Sequence, residues 1–466
     1  MQKAHGILAL LSLCSIAWTQ PAPEVAQALP LSSPVLSPEG YPGLPRYPIH
    51  LTHTYPPQRA FFPGFFQVGY DDGALYLFSH LEQAIPPKAE RQAEDPEWWR
   101  DDTLEVFLRT DPWNPEAPDL HLAVNARGTR FRAYTASLNY EAKAGLLDGG
   151  WWVALRLPFG QDLPRPRPGT FWQLKVGRGH PQAGEYTLWP LGGDFHSPGN
   201  YGYLFFAEKP ERGEDLVQEV IRREAAAPPI ASRLEGIRSW ALYYGGDPGV
   251  FARLQDHDLV VLAREAPLAQ VQGLRDRGVR VVSYLPLGFL PRREAEAKGL
   301  LPLALGPNPY APDTLFMDPA NPRWRAWVLE EAERLLLLGY AGFFLDGLDI
   351  ADLHPETIPH LASLIGHLRS RLPDALLLQH RGFRVLRRTA EALDAVVYSH
   401  LSTDPVGRPF PGDPSPVWPF RRRGLVTLSL DITSDPNQAR LAAQRARELG
   451  FLPFVTPSLV LPKPRP

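Results

Sequence analysis

The chain has 466 residues, room for two or three domains of ordinary size, each able to bury a core. Lys and Arg number 48 against 51 Asp and Glu, a net charge of −3, so no basic face is advertised for nucleic acid. Twelve Trp and 44% hydrophobic residues indicate a folded protein, and the single Cys excludes a disulfide framework and Cys-based metal sites.

Lys3 and His5 precede an apolar run, Ile7 to Trp18, and then a polar stretch from Thr19, the layout of a cleavable secretory signal over residues 1–20. That run is far shorter than the roughly 20 residues needed to span a bilayer, so no transmembrane segment is expected. Ser15-Ile16-Ala17 offers a cleavage site, and Leu13 ahead of Cys14 disfavours a lipoprotein anchor. A secreted or cell-envelope location follows. Residues 21–48, rich in Pro, Ser and Leu without period, read as a disordered spacer. Residues 208–234, charged and then Pro-rich around a short helical stretch (Leu216 to Ala226), read as a linker. Two blocks remain, 49–207 and 235–466.

In the first block nine short apolar runs are separated by turn residues: Phe65 to Val68, Ala74 to Phe78, Thr103 to Leu108, His121 to Val124, Arg130 to Tyr134, Trp151 to Leu157, Phe171 to Val176, Glu185 to Trp189 and Tyr203 to Phe206. Their alternation predicts an antiparallel β-sandwich. Its many Trp residues suit either a core or the stacking of indole faces on pyranose rings. Trp98-Trp99-Arg100-Asp101-Asp102-Thr103-Leu104-Glu105-Val106-Phe107, Leu122-Ala123-Val124-Asn125-Ala126-Arg127-Gly128, Gly150-Trp151-Trp152-Val153 and a closing Trp189 resemble the family 9 carbohydrate-binding modules. The resemblance implies that Trp98 or Trp99 with Trp189 clamps a terminal sugar, that Glu105 or Asp102 supplies a carboxylate and that Arg127 supplies the basic partner. Asn125 to Gly128 also reads as a plain turn. Structural calcium is a further implication of the resemblance; the residues themselves show no cofactor or metal site.

After Ile237 apolar strands alternate with helices: Trp240 to Tyr244, Leu259 to Ala263, Val279 to Leu285, Ala341 to Leu345, Ala375 to Gln379, Ala395 to Tyr398, Leu425 to Leu430 and Phe451 to Val455. Gly278, Gly339 and Gly450 each end a helix just before a strand, and Asn321-Pro322 opens one. Eight strand–helix units predict a (β/α)8 TIM barrel, whose chemistry lies at the C-terminal ends of its strands. The polar residues at those ends are Asp247, Arg264, Glu265, Tyr284, Asp346, Asp349, Gln379, His380, Ser399, His400, Asp431 and Thr456. This acidic cup suits neutral or cationic chains. Gly342-Phe343-Phe344-Leu345-Asp346-Gly347-Leu348-Asp349 delivers one carboxylate at the end of a buried strand and another three residues on. Apolar walls and a second carboxylate are expected to raise the pKa of Asp346, as general acid work requires.

Together with Trp240 to Tyr244, Gly278-Val279-Arg280-Val281-Val282-Ser283-Tyr284-Leu285-Pro286-Leu287-Gly288, Phe316-Met317-Asp318-Pro319-Ala320-Asn321-Pro322 and Gly450-Phe451-Leu452-Pro453-Phe454-Val455, that motif resembles the glycoside hydrolase family 114-like barrels, related to endo-α-1,4-polygalactosaminidases. The resemblance makes Asp346 one of a carboxylate pair, the other a Glu after the sixth strand. Here the chain departs from it: Gly288-Phe289 stands where Gly-Glu is usual, and Ser399-His400 where the Glu is expected. Asp431, Asp349 and His400 are the substitute partners available for Asp346, with Tyr244, Tyr284 and Gln379 as substrate-binding candidates. No Gly-x-Ser-x-Gly elbow, His-Glu-x-x-His motif or phosphate-binding loop is present, so serine-nucleophile, zinc and nucleotide chemistry lack support. The expected protein is an exported, monomeric glycoside hydrolase that binds a polysaccharide, with an amino-sugar, galactosaminoglycan-like polymer suggested by the resemblance. Its rival is a non-catalytic glycan-binding surface protein with a degenerate barrel.

Overall fold

The structure is a computed structural model describing residues 22–54, 57–131, 138–190, 195, 199–309 and 311–457. The expected signal segment and residues 132–134 of the fifth predicted strand lie outside the described residues.

The first unit has twelve strands: β1 (Val25–Pro30), β2 (Tyr47–Thr52), β3 (Arg59–Tyr70), β4 (Ala74–Glu82), β5 (Thr103–Arg109), β6 (Leu120–Asn125), β7 (Arg130–Phe131), β8 (Glu141–Leu147), β9 (Gly150–Pro158), β10 (Phe171–His180), β11 (Glu185–Trp189) and β12 (Gly202–Phe206). They form one hydrogen-bonded sheet, ordered β7-β6-β5-β10-β11-β2-β3-β4-β9-β8, with β12 paired to β10 and β1 lying between β12 and β3. Side chains from both arms of this sheet share one core, including Val68, Leu77, Val106, Trp151, Trp172, Trp189 and Phe206. The segment expected as a spacer is corrected here. It supplies β1, whose Ala26 and Ala28 are fully buried, and which runs parallel to β12 and β3 in an otherwise antiparallel sheet. Small alanines flanked by prolines gave no alternating pattern, because β1 is covered on both faces.

The linker region is docked too. Its helix, Gly213–Ala225, buries Leu216 and Val220 against Phe171, Tyr203 and Phe205, while Ile230 donates its N–H to Arg423 O of the second unit.

In the second unit eight parallel strands follow in chain order: β13 (Trp240–Tyr243), β14 (Leu259–Leu262), β15 (Arg280–Pro286), then, after a small antiparallel sheet of β16 (Phe289–Pro291), β17 (Ala304–Pro307) and β18 (Thr314–Met317), β19 (Gly342–Asp346), β20 (Leu376–His380), β21 (Ala395–Ser399), β22 (Val426–Ile432) and β23 (Leu452–Thr456). The Trp240 indole N–H on the first strand donates to Leu452 O on the last at 3.0 Å, so the sheet is nearly closed and barrel-like. The strands read as continuous apolar runs because both faces are covered. Phe344, Leu378, Val397 and Leu430 belong to an inner cluster, while their neighbours Phe343, Leu345, Leu377 and Val396 pack in the cluster shared with the helices. The helix Pro322–Leu337 shows how the sequence builds that outer layer. Asn321 caps it by accepting from Arg323 N at 3.0 Å, and Trp324, Val328, Ala332 and Leu335 bury one stripe.

Candidate active site

Strand parity places the site. Side chains two apart share a face, so Asp346 follows Phe344 inward, His380 follows Leu378, Ser399 follows Val397, and Tyr284 follows Val282. Asp346, His380 and Ser399 are the last residues of three successive strands. His380 Nδ1 lies 2.7 Å from Asp346 Oδ1, and His380 Nε2 lies 2.5 Å from Ser399 Oγ. Gly347 N also donates to Asp346 Oδ1, at 2.8 Å. Gly347 has φ of 85°, and a Cβ there would meet the Phe289 ring at 2.7 Å and Gly288 N at 2.9 Å. Only glycine therefore makes the turn that aims this N–H at the carboxylate. The imidazole packs on Phe344, with ring centroids 4.9 Å apart.

The strand ends are strained. Arg381 (φ 49°) and His400 (φ 64°), two of the four described non-glycine residues with positive φ, directly follow His380 and Ser399. Left-handed backbone at such residues costs about 1 kcal/mol or more each and clusters at working sites.

The proton affinities follow from the surroundings. Burial would push the Asp346 carboxyl up, but the His380 ring, with hydrogen bonds from His380, Gly347 and Tyr284, outweighs it and holds Asp346 below the usual carboxylate range. This corrects the expectation of a raised Asp346. The raised carboxyl is that of half-buried Asp349, pushed up by burial and by the charge of Asp346. Tyr284 and Tyr244 are held far above the ordinary phenol value by burial and by Asp346, so both remain neutral donors. Their rings meet edge to face at 5.6 Å. Since ionised Asp346 can only accept, His380 Nδ1 carries the hydrogen; in the neutral ring Nε2 is then the acceptor for the Ser399 hydroxyl.

Other candidates are placed elsewhere. Asp431 follows Ser429, on the face opposite Leu430, and is fully buried; its Oδ1 accepts from Ser402 N (2.7 Å) and Thr403 N (2.9 Å), so it fastens the loop after β21. Gln379 likewise points outward and is fully buried, donating to Arg381 O and Gly382 O and accepting from Thr389 Oγ1 at 2.6 Å. His400 Nδ1 is 3.2 Å from Thr403 O in its own loop, and burial lowers its pKa. Asp247 caps the next helix by accepting from Gly249 N, and Arg264 is paired with Glu294 at 2.7 Å.

In the first unit the expected clamp does not form. Trp189 is 2% exposed and packs on Phe66 and Tyr47 in the core. Trp98 stacks on Phe131, while Trp99 is 47% exposed with the Arg100 guanidinium 5.2 Å from its ring. Glu105 is buried and accepts from His121 Nε2 at 2.8 Å, and burial lowers the His121 pKa to about 3. Asp102 is fully buried against His180. Arg127 is exposed in the β6–β7 turn, its N–H bonded to Asn125 Oδ1. The adjoining acid Asp101 accepts through its two oxygens from Glu90 N, Arg91 N and Asn125 Nδ2. Among the described residues no group of three His, Cys, Asp or Glu could hold a metal, and no helix is long and apolar enough to cross a membrane.

No family model and no curated protein matches the chain. Solved structures do. The glycoside hydrolase domain of PelA from Pseudomonas aeruginosa is 28% identical, covering 48% of this chain and 96% of that one, with a TM-score of 0.44. Ega3 from Aspergillus fumigatus, in complex with galactosamine, is 12% identical, covering 49% of this chain and 92% of that one, with a TM-score of 0.40. A family 9 carbohydrate-binding module from Caldicellulosiruptor kristjanssonii, in complex with cellotriose, is 16% identical, covering 40% and 96%, with a TM-score of 0.32. Structures of both kinds that the sequence resembles are therefore among those to which this chain is similar.

Proposed function

We propose that the chain is an exported glycoside hydrolase in which a β-sandwich holds a polysaccharide and a (β/α)8 barrel cleaves it. The observation that carries this reading is Asp346 at the end of β19 with Asp349 three residues on, before the helix Ile350–Leu353, one carboxyl lowered and the other raised. Two carboxyls with proton affinities pushed apart are what acetal cleavage uses: a protonated one to give its proton to the leaving oxygen, an ionised one to attack the sugar carbon or activate water. Asp349 takes the first role and Asp346 the second. Neutral Tyr284 and Tyr244 donate to sugar hydroxyls or to Asp346, and exposed Trp99 offers a stacking face in the sandwich. An amino-sugar polymer suits the acidic rim.

Release of reducing ends from a galactosaminoglycan, lost in Asp346→Asn, tests the reading. Phe289 and Ser399, standing where the resemblance implies acids, favour a second reading, a glycan binder with a degenerate barrel. Tight binding of that polymer with no turnover in either form would establish it.

A further inference from the structure

Ser399 sits where the resemblance implies a carboxylate, yet it is not idle. Its hydroxyl meets His380 Nε2 at 2.5 Å, and His380 Nδ1 meets Asp346 at 2.7 Å. A nucleophile touching a base, the base oriented by a third group, is the arrangement by which serine hydrolases are recognised on unrelated folds, whatever their sequence motifs. We propose that Ser399 is an acyl-accepting nucleophile, with His380 as its base and Asp346 as the group that orients the imidazole, and that the site cleaves short acyl esters carried on sugar hydroxyls.

Three observations support it. His380 Nδ1 faces the Asp346 carboxylate, so in the neutral ring the hydrogen sits on Nδ1 and the Nε2 lone pair is turned toward Ser399, the one tautomer that can take the hydroxyl proton. The left-handed residues Arg381 and His400 turn the chain sharply just beyond base and nucleophile. Ser399 is 6% exposed, while Asp346 and His380 side chains are 19% and 18% exposed, so the three groups open to solvent together. The choice of a sugar as the alcohol rests on the function proposed above; the acyl chemistry does not.

The step balances without any further reactant than water. Ser399 Oγ bonds to the ester carbonyl carbon as His380 Nε2 takes the hydroxyl proton; the ester C–O bond breaks, and the sugar alcohol leaves with that proton. Water then attacks the acyl-serine, giving its proton through His380 to Ser399 Oγ as the carboxylic acid departs.

The test uses the full chain with p-nitrophenyl acetate, following nitrophenol release and mapping acetyl-peptides after an acid quench. The expected result is an acetyl group on Ser399 and a loss of turnover on the order of 10³-fold in Ser399→Ala and His380→Ala. Ser399→Cys, of nearly the same volume, should form a thioester at the same position, which guards against a loss caused by misfolding. Turnover in Ser399→Ala equal to the parent, or acetyl mapping only to other residues, overturns the proposal. Cleavage of unacylated polymer is assayed in parallel. A chain that acetylates Ser399 but cuts no polymer refutes only the glycosidase reading, and one that cuts polymer without labelling Ser399 refutes only this one.

Discussion

Each half of the molecule holds one Asp–His pair of nearly the same geometry. Asp102 and His180 meet at 2.5 Å with both side chains fully buried, and Asp346 and His380 at 2.7 Å with 19% and 18% exposed. In the first, Asp102 Oδ2 is taken by Lys88 N at 2.6 Å, and His180 Nε2 has no partner among the described residues. In the second, the distal nitrogen meets a hydroxyl. The same two residue types thus serve as a buried fastening in one place and, in the chemistry proposed here, as a proton relay in the other; access and the third group make the difference.

The largest effect that would break this contrast lies at the rim. Asp349→Asn should lower polymer cleavage by about 10²- to 10⁴-fold, the usual worth of a general acid. The pH profile carries the sign. Asp349 must stay protonated, so activity falls as pH rises through its raised pKa; Asp346 must be ionised, so activity falls as pH drops through its lowered one. The asparagine variant should lose the alkaline limb and keep the acid one. Rate measurements from acid to alkaline pH check it, and an unchanged alkaline limb assigns the proton donor elsewhere.

The buried pair should answer differently. Asp102→Ala strands His180 Nδ1 and Lys88 N in the core, and removing one partner of a buried pair typically costs about 3–5 kcal/mol. Urea unfolding should show a lower midpoint, while the folded fraction keeps the parental rate per molecule. A rate loss beyond the unfolded fraction would place Asp102 in function and erase the distinction.

The contrast also explains what the sequence made legible. All eight parallel strands coincide with predicted apolar runs, and so do eight strands of the first unit, the fifth predicted run being described only at Arg130–Phe131, since that signal is local; β1, β2 and β8 carry no such run and were not read. Parity along those strands was legible too. Phe344-Leu345-Asp346 and Leu378-Gln379-His380 alternate, so His380 belonged with Asp346 and Gln379 did not; Leu430-Asp431 excluded Asp431 in the same way. Two things were not local. Whether Trp189 faces a sugar or the core depends on Phe66 and Tyr47, more than a hundred residues away. The pairing of Ser399 with His380 depends on neighbouring strands, and no serine motif surrounds it. The Asp346 shift was misread because its hydrogen bonds, which outweigh burial, come from three separate segments.

The smallest effect sharpens the contrast from the stability side. Glu24, beside β1, also has a raised carboxyl, moved from the ordinary 4.5 to about 7 by burial, which the Trp189 indole hydrogen bond only partly offsets. A raised acid favours the fold while protonated. Below pH 4.5 both folded and unfolded chains hold the proton; between 4.5 and about 7 the unfolded chain ionises first, so stability drains away, and above about 7 the full penalty remains. Discounted for partial exposure, that penalty is about 1–2 kcal/mol. Glu24→Gln keeps an oxygen for the indole and cannot ionise, so it should unfold at higher urea than the parent at pH 8 and match it at pH 4. Its cleavage profile should be the parental one, the reverse of Asp349→Asn. If the pH slope of stability survives in Glu24→Gln, the buried acid responsible is another, and a raised carboxyl in the first unit no longer stands as the structural counterpart of the one at the rim.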